Sequence, residues 1–137
     1  MSADKQIHIA AAIITDTAGR CLLVRKQNTT HFMQPGGKID TGETATAALV
    51  RELAEELAVS ITSDDLFYLG KFSDSAINEP GCEVIAEIYH LRTDKKDFVP
   101  AAEIAEVMWY PADDGRQVPL APLTENHLLP LIPQLTQ

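Results

Sequence analysis

Three carboxylates fall within five positions of this chain, at Glu52, Glu55 and Glu56. They stand in a run that reads Gly37, five residues, Glu43, seven residues, Arg51-Glu52-Leu53, one residue, Glu55-Glu56, then Leu57-Ala58-Val59. In a helix, positions three and four apart are neighbours, so all three carboxylates share one face. Like charges stacked in that way repel and weaken a bare helix. A chain that keeps them needs something cationic beside them. Hard divalent ions such as Mg²⁺ take oxygen ligands, and they commonly bring substrate phosphates with them.

The same stretch carries Leu49, Val50, Leu53 and Leu57 on its other side, with Ala54 beside them. The spacing predicts a helix over 44–57 with one core face and one ionic face. Thr41-Gly42-Glu43 supplies turn chemistry before it, and Glu43 lies where a helix N-terminus favours negative charge.

Around this helix the patterns are those of strands. Residues 6–15 are apolar and rich in Ile and Ala, Asp16-Thr17-Ala18-Gly19 is a turn, and 21–25 is a returning strand. Residues 28–33 read as a polar loop. Gln34 precedes Pro35 and is biased to an extended conformation, and Gly36-Gly37 offers a backbone approach free of side chains. Strands are expected over 66–72 and 82–92, separated by the turn signal Asn78-Glu79-Pro80-Gly81. A polar turn at 93–97 leads to the apolar run Val107-Met108-Trp109-Tyr110, stopped by Pro111. Thr124 is placed to cap a C-terminal helix that Pro130 and Pro133 would kink or shorten. Strands on both sides of an acidic helix predict an α/β or α+β domain with a mixed sheet.

Size and charge narrow the partners. A chain of 137 residues is expected to form one domain, over 1–137, with a single core. The formal charge of −9 argues against a nucleic-acid polymer or an anionic membrane surface. It does not argue against a small phosphate ligand, because a metal reverses the sign locally. Two cysteines, Cys21 and Cys82, are too few for a disulfide scaffold and fit a reduced cytoplasm. The first residues lack the pattern of a signal peptide, and no apolar run approaches the length of a membrane span.

The segment from Gly37 to Val59 closely resembles the box of the Nudix (MutT-like) hydrolases, G-x5-E-x7-R-E-U-x-E-E-x-G-U, where U is a bulky aliphatic residue. Every fixed position matches except Ala58, where the family has Gly. The resemblance implies an α/β/α sandwich with a mixed β-sheet. It also implies Mg²⁺- or Mn²⁺-dependent hydrolysis of a phosphoanhydride (pyrophosphate) bond in a nucleoside diphosphate linked to another group. The short chain is similar to the family's small nucleoside-triphosphate pyrophosphohydrolases, including those acting on oxidised purine nucleotides. A homodimer is expected by the same analogy. Carried over by position, Glu52, Glu55 and Glu56 would be the carboxylates of the metal site, and the Gly37 carbonyl would add a backbone ligand. Glu43 and Arg51 would pair and hold the loop against the helix. The general base would be Glu52 or Glu56, or else a later carboxylate, Glu103 or Glu106. A rival reading is a Nudix-like module that binds a nucleotide without turnover, although the chain keeps every box glutamate.

Other residues carry two readings each. Phe32, Met33 and Gln34 precede the glycines and either wall a base pocket or pack under the loop. Lys38 follows the glycines and is a further candidate for substrate binding. Asn126 either reads a base edge, since an amide both donates and accepts, or caps a helix. Trp109 reads as core. His8, His31, His90 and His127 show no ligand spacing. Cys21 reads as buried packing, and Cys82 follows a turn. Ala58 either takes the left-handed conformation usual for Gly at a helix end, at a cost of about 1 kcal/mol, or continues the helix.

Overall fold

A computed structural model describes residues 5–76, 81–95, 97–111 and 118–135. The strands are β1 (Lys5–Thr15), β2 (Cys21–Lys26), β3 (Phe32–Met33), β4 (Gly36–Lys38), β5 (Phe67–Ser75), β6 (Cys82–Arg92) and β7 (Ile104–Tyr110). The main path of the sheet runs β3-β2-β1-β6-β5, with β4 added to β1 and β7 to β2. β1 pairs parallel to β6 along its whole length, from Lys5 against Cys82 to Thr15 against Arg92. It pairs antiparallel to β2 and β4, so the sheet is mixed, as expected.

β1 is apolar at consecutive positions because both faces of the sheet are covered. Ala10, Ala12 and Ile14 point to one layer, with Leu22 and Val24 of β2. Helix α1 (Ala45–Leu57) closes that layer with Ala48, Leu49, Leu53 and Leu57. Ala11 and Ile13 point the other way, with Cys21 and Leu23, and Leu123, Leu128 and Ile132 of the C-terminal segment cover them. The result is a helix layer, a sheet and a second helical layer. Leu49, Leu53 and Leu128 are fully buried, and truncating such a side chain to Ala costs about 2–5 kcal/mol.

α1 begins where the sequence predicts. Thr44 caps it, its hydroxyl accepting from the Ala47 N–H at 3.1 Å. It ends at Ala58, which lies in the left-handed region at φ 55° and ψ 34° and closes the last turn through its N–H to the Ala54 carbonyl. The helix therefore stops at the position where the box has Gly, with a methyl group in a conformation that suits Gly.

Two expectations change. Residues 28–33 are not loop throughout: Phe32 and Met33 form β3 against Arg25 and Val24, because the Phe32 ring is drawn into the core. Thr124 does not cap a helix; it is buried and bonded elsewhere. The C-terminal segment begins just before it, makes a π turn over Thr124–Leu128 and a 3-10 turn over Leu129–Leu131, and ends in a short α2 (Ile132–Leu135). Pro130 and Pro133 explain this fragmentation, since each removes a backbone donor. Asn78, Glu79 and Pro80 of the predicted turn lie outside the described residues. Among the described residues no helix is long and apolar enough to cross a membrane.

Candidate functional site

The ionic face of α1 is organised by Arg51. Its Nε and Nη2 grip the two oxygens of Glu43 at 2.8 and 2.9 Å. Its Nη2 also donates to the Lys38 carbonyl at 3.2 Å, and its Nη1 donates to Glu52 at 2.9 Å. One planar guanidinium thus ties the loop before the helix to the helix itself, with the fork geometry that suits a carboxylate. The Arg51 hydrogen bonds hold Glu43 down to about 2, and the Arg51 guanidinium is itself pushed up, chiefly by Glu43.

Glu56 faces inward from the same helix. Its side chain is 1% exposed, and Oε1 accepts from the Gly36 N–H at 3.1 Å. Its second oxygen is buried with no hydrogen-bond partner. Burial raises its pKa to about 8, against the opposing pull of the Gly36 N–H, and the neighbouring Glu52 charge raises it further. Glu52 is also raised, by burial first. A buried acceptor left unpaired is costly, and here it lies beside a second carboxylate.

The two glycines explain how these groups come together. A Cβ at Gly37 would sit 2.3 Å from the Glu52 carboxyl carbon, and one at Gly36 would sit 2.2 Å from the Ala10 carbonyl. Only bare backbone passes between β1 and the glutamates. Glu55 lies on the outer side, its side chain 53% exposed and 3.6 Å from Arg51. Among the described residues, no three carboxylate, His or Cys side chains already surround one point, because Glu52 is turned to Arg51 and Glu56 to Gly36. The donors themselves are hard oxygens on one rigid helix, one of them unpaired, and that is the chemistry a divalent cation of the Mg²⁺ type takes.

The later carboxylates separate. Glu106 lies across from Arg25 on the sheet and accepts from its Nε at 3.2 Å. Glu103 lies 3.6 Å from Lys26, and its charge reaches both Glu52 and Glu56. The turn that carries it is fastened to α1 by the Ala101 N–H donating to the Glu56 carbonyl at 2.9 Å.

A cleft of about 150 Å³ opens beside the glycines. Ile7, Ile9, Met33 and Leu123 supply apolar wall, and Gln34, Lys38, Thr124 and Lys26 supply polar groups. Lys26, a cation in the cleft and near Glu56, is the residue that reading the sequence missed; its place at the end of a strand before a loop gives no local signal. Gln34 is buried beside the Cys21 thiol, and its Oε1 accepts from the Thr124 hydroxyl at 2.7 Å. Phe32 packs in the core rather than in the cleft. Asn126 does not line the cleft; it donates to Asp74 at 3.0 Å. Trp109 packs between Phe98 and Arg20. Cys21 and Cys82 are both free, and burial pushes the Cys21 thiol up to about 12.

Comparison with known proteins gives a consistent picture. The model of the NUDIX domain matches residues 5–134. The chain is similar to the 8-oxo-dGTP diphosphatase of Haemophilus influenzae, 39% identical over 67 residues that cover 46% of this chain and 49% of that protein. It is 37% identical over 62 residues to the 8-oxo-dGTP diphosphatase of Proteus vulgaris, covering 42% of this chain and 55% of the relative. The chain thus spans about half the length of these curated relatives. Among solved structures, the MutT protein from Methanosarcina mazei Go1 superposes with a TM-score of 0.77 at 21% identity, covering 99% of each chain.

Proposed function

The chain belongs to the Nudix family, whose domain model spans residues 5–134, and from that premise we propose that it hydrolyses a phosphoanhydride bond in a nucleoside diphosphate linked to another group. One observation carries the reading: a buried and a half-buried carboxylate meet two glycines. Glu56 takes the Gly36 N–H at 3.1 Å and leaves its other oxygen unpaired, while the Glu52 carboxylate occupies the space that a side chain at Gly37 would fill.

Glu52, Glu55, Glu56 and the Gly37 carbonyl would hold the divalent ion, Mg²⁺ or Mn²⁺ in this reading. When bound, such an ion neutralises the diphosphate, polarises the phosphoryl group and acidifies water. Arg51 and Glu43 keep the ligand-bearing helix and the glycine loop in fixed register, the rigid support such a site needs. Glu52 or Glu56 would take the proton of the attacking water. Glu103, 3.6 Å from Lys26 at the edge of the site, is the alternative base in this reading, ahead of Glu106, which pairs with Arg25. Lys26 and Lys38 would attract the phosphates, and the apolar wall at Ile9, Met33 and Leu123 would cover a base and exclude water. The relatives named 8-oxo-dGTP diphosphatase make oxidised purine nucleoside triphosphates the substrates to propose first. A reduced, cytoplasmic setting and a homodimer complete the proposal.

The test is product release from a panel of nucleotides with Mg²⁺ or Mn²⁺, run beside Glu56→Gln. The panel holds normal and oxidised nucleoside triphosphates, ADP-ribose, NADH, dinucleoside polyphosphates and nucleotide sugars. Turnover of one class that depends on the metal and falls at least about 100-fold in the variant is expected. Tight nucleotide binding with no turnover of any member would replace the hydrolase with a binding module.

A further inference from the structure

We propose that Asp74 is a positioning residue: by holding Asn126 and His127 it fixes the segment that forms one wall of the cleft, and so sets the cleft's affinity for a nucleotide. The proposal rests on the nucleotide reading above but uses residues outside the box.

The wall is a segment poorly able to hold its own shape. Ala121, Leu123 and Thr124 line the cleft, and the chain continues as one π turn over Thr124–Leu128. A π turn is rare and is frequently found at functional sites. It cannot be propped by a long helix behind it, because Leu129–Leu131 is a 3-10 turn and Pro130 and Pro133 interrupt the donor ladder. Its position therefore depends on tertiary contacts.

Those contacts come from two sides. On one side Thr124 donates to Gln34 at 2.7 Å, and both line the cleft. On the other, the Asp74 carboxylate on β5 accepts from Asn126 Nδ2 at 3.0 Å and lies 3.3 Å from His127 Nε2. The His127 ring also packs against Phe72, centroids 6.4 Å apart. Ser75 and Ala76, the residues that follow Asp74, line the cleft themselves. The π turn thus bridges two walls, one at Gln34 and one at the end of β5, and Asp74 is the anchor on the second. Leu128, fully buried, fixes the base of the segment but does not reach the cleft. The Asn126 hydrogen bond holds the Asp74 carboxyl below its ordinary value, so the anchor is ionised at neutral pH.

The experiment compares wild type, Asp74→Ala and Asp74→Asn. Nucleotide affinity is read by calorimetry with 8-oxo-dGTP and GTP in the absence of a divalent ion, kcat and KM with Mg²⁺, and amide exchange over 118–135 in protein alone. Asp74→Ala is expected to weaken affinity and raise KM about five- to tenfold with kcat within about twofold, and to speed exchange in 123–128. Asp74→Asn keeps an oxygen that accepts from Asn126, and is expected to restore most of the affinity and exchange protection. Unchanged affinity in Asp74→Ala, or an equal loss in Asp74→Asn, overturns the proposal. A wild type that binds nucleotide and turns over none of it, with affinity still lost in Asp74→Ala, would reject the hydrolase reading and leave the positioning role standing. A wild type that binds neither nucleotide overturns the positioning role for these ligands, and the hydrolase reading falls with it only if no member of the panel is turned over with Mg²⁺ or Mn²⁺.

Discussion

Arg51 and Glu43 meet fork to fork, with N–O distances of 2.8 and 2.9 Å. The pair joins the glycine loop to the helix that bears the carboxylates, so its effect is on geometry as well as on charge. Lys in place of Arg51 keeps the charge but loses the planar fork. Arg51→Lys is expected to keep the fold and lower turnover of the panel's best substrate at least about tenfold, a loss of positioning rather than of chemistry. Steady-state kinetics beside a thermal melt checks this. An unchanged kcat/KM would show that a point charge at this position suffices.

The same pair has an acid signature. Glu43 is held at about 2 instead of its ordinary 4.5, so the unfolded chain binds a proton before the native state does. The stabilisation is complete above about pH 4.5 and fades as pH falls toward about 2. Urea midpoints taken down through that window are expected to fall less steeply for Glu43→Gln than for wild type. Parallel slopes would mean that the ion pair does not persist in solution.

His90 gives a second, separate window. Its Nε2 lies 2.7 Å from the Thr15 hydroxyl inside the sheet, and burial, with Arg92 next, lowers its pKa from 6.5. The unfolded chain therefore takes up a proton first as pH falls. Stability from the neutral ring is present above about pH 6.5 and is lost below it. His90→Gln, which cannot titrate, is expected to show a shallower loss between about pH 7 and about pH 5.5, measured as the shift in melting temperature over that interval.

Much of this arrangement is written locally in the chain. The consecutive apolar residues of β1 report a strand covered on both faces, and the leucine stripe of α1 reports its core side. The carboxylates are legible because their spacing is fixed within one helix. What is hidden is what long-range contact decides. Lys26 and Glu103 are 77 positions apart in the chain and come within 3.6 Å, and Thr124 reaches Gln34 across a separation of 90. Asn126 carries an amide that suits a base edge, yet the fold commits that amide to Asp74. β3 was hidden for a different reason: two residues carry no periodicity, and only the neighbour strand makes them a strand.

Ala58 tests the one departure from the family pattern. It sits at φ 55°, where Gly is free of the strain a methyl group feels. Relief of that strain outweighs the extra freedom Gly gives the unfolded chain, since the native conformation there disfavours Ala. Ala58→Gly is expected to stabilise the protein by about 0.5–1 kcal/mol, read from urea unfolding, with turnover unaltered. Destabilisation would mean that the helix end relaxes away from the left-handed conformation.

Gly37→Ala presses on the site most directly. Its new Cβ would lie 2.5 and 2.6 Å from the two Glu52 oxygens, so either the carboxylate or the backbone must move. The carboxylate is the softer of the two: among the described residues it is held by a side-chain hydrogen bond from Arg51, whereas Gly37 is paired to Ala10 in the sheet. The expected outcome is a folded protein with Glu52 displaced, Mn²⁺ affinity reduced at least about tenfold and turnover reduced further, since both need the ligand in place. Mn²⁺ titration followed by paramagnetic resonance reads the first, and the nucleotide panel reads the second. Wild-type Mn²⁺ affinity in a folded Gly37→Ala protein would remove Glu52 from the ligand set and leave Glu55 and Glu56 to carry the ion.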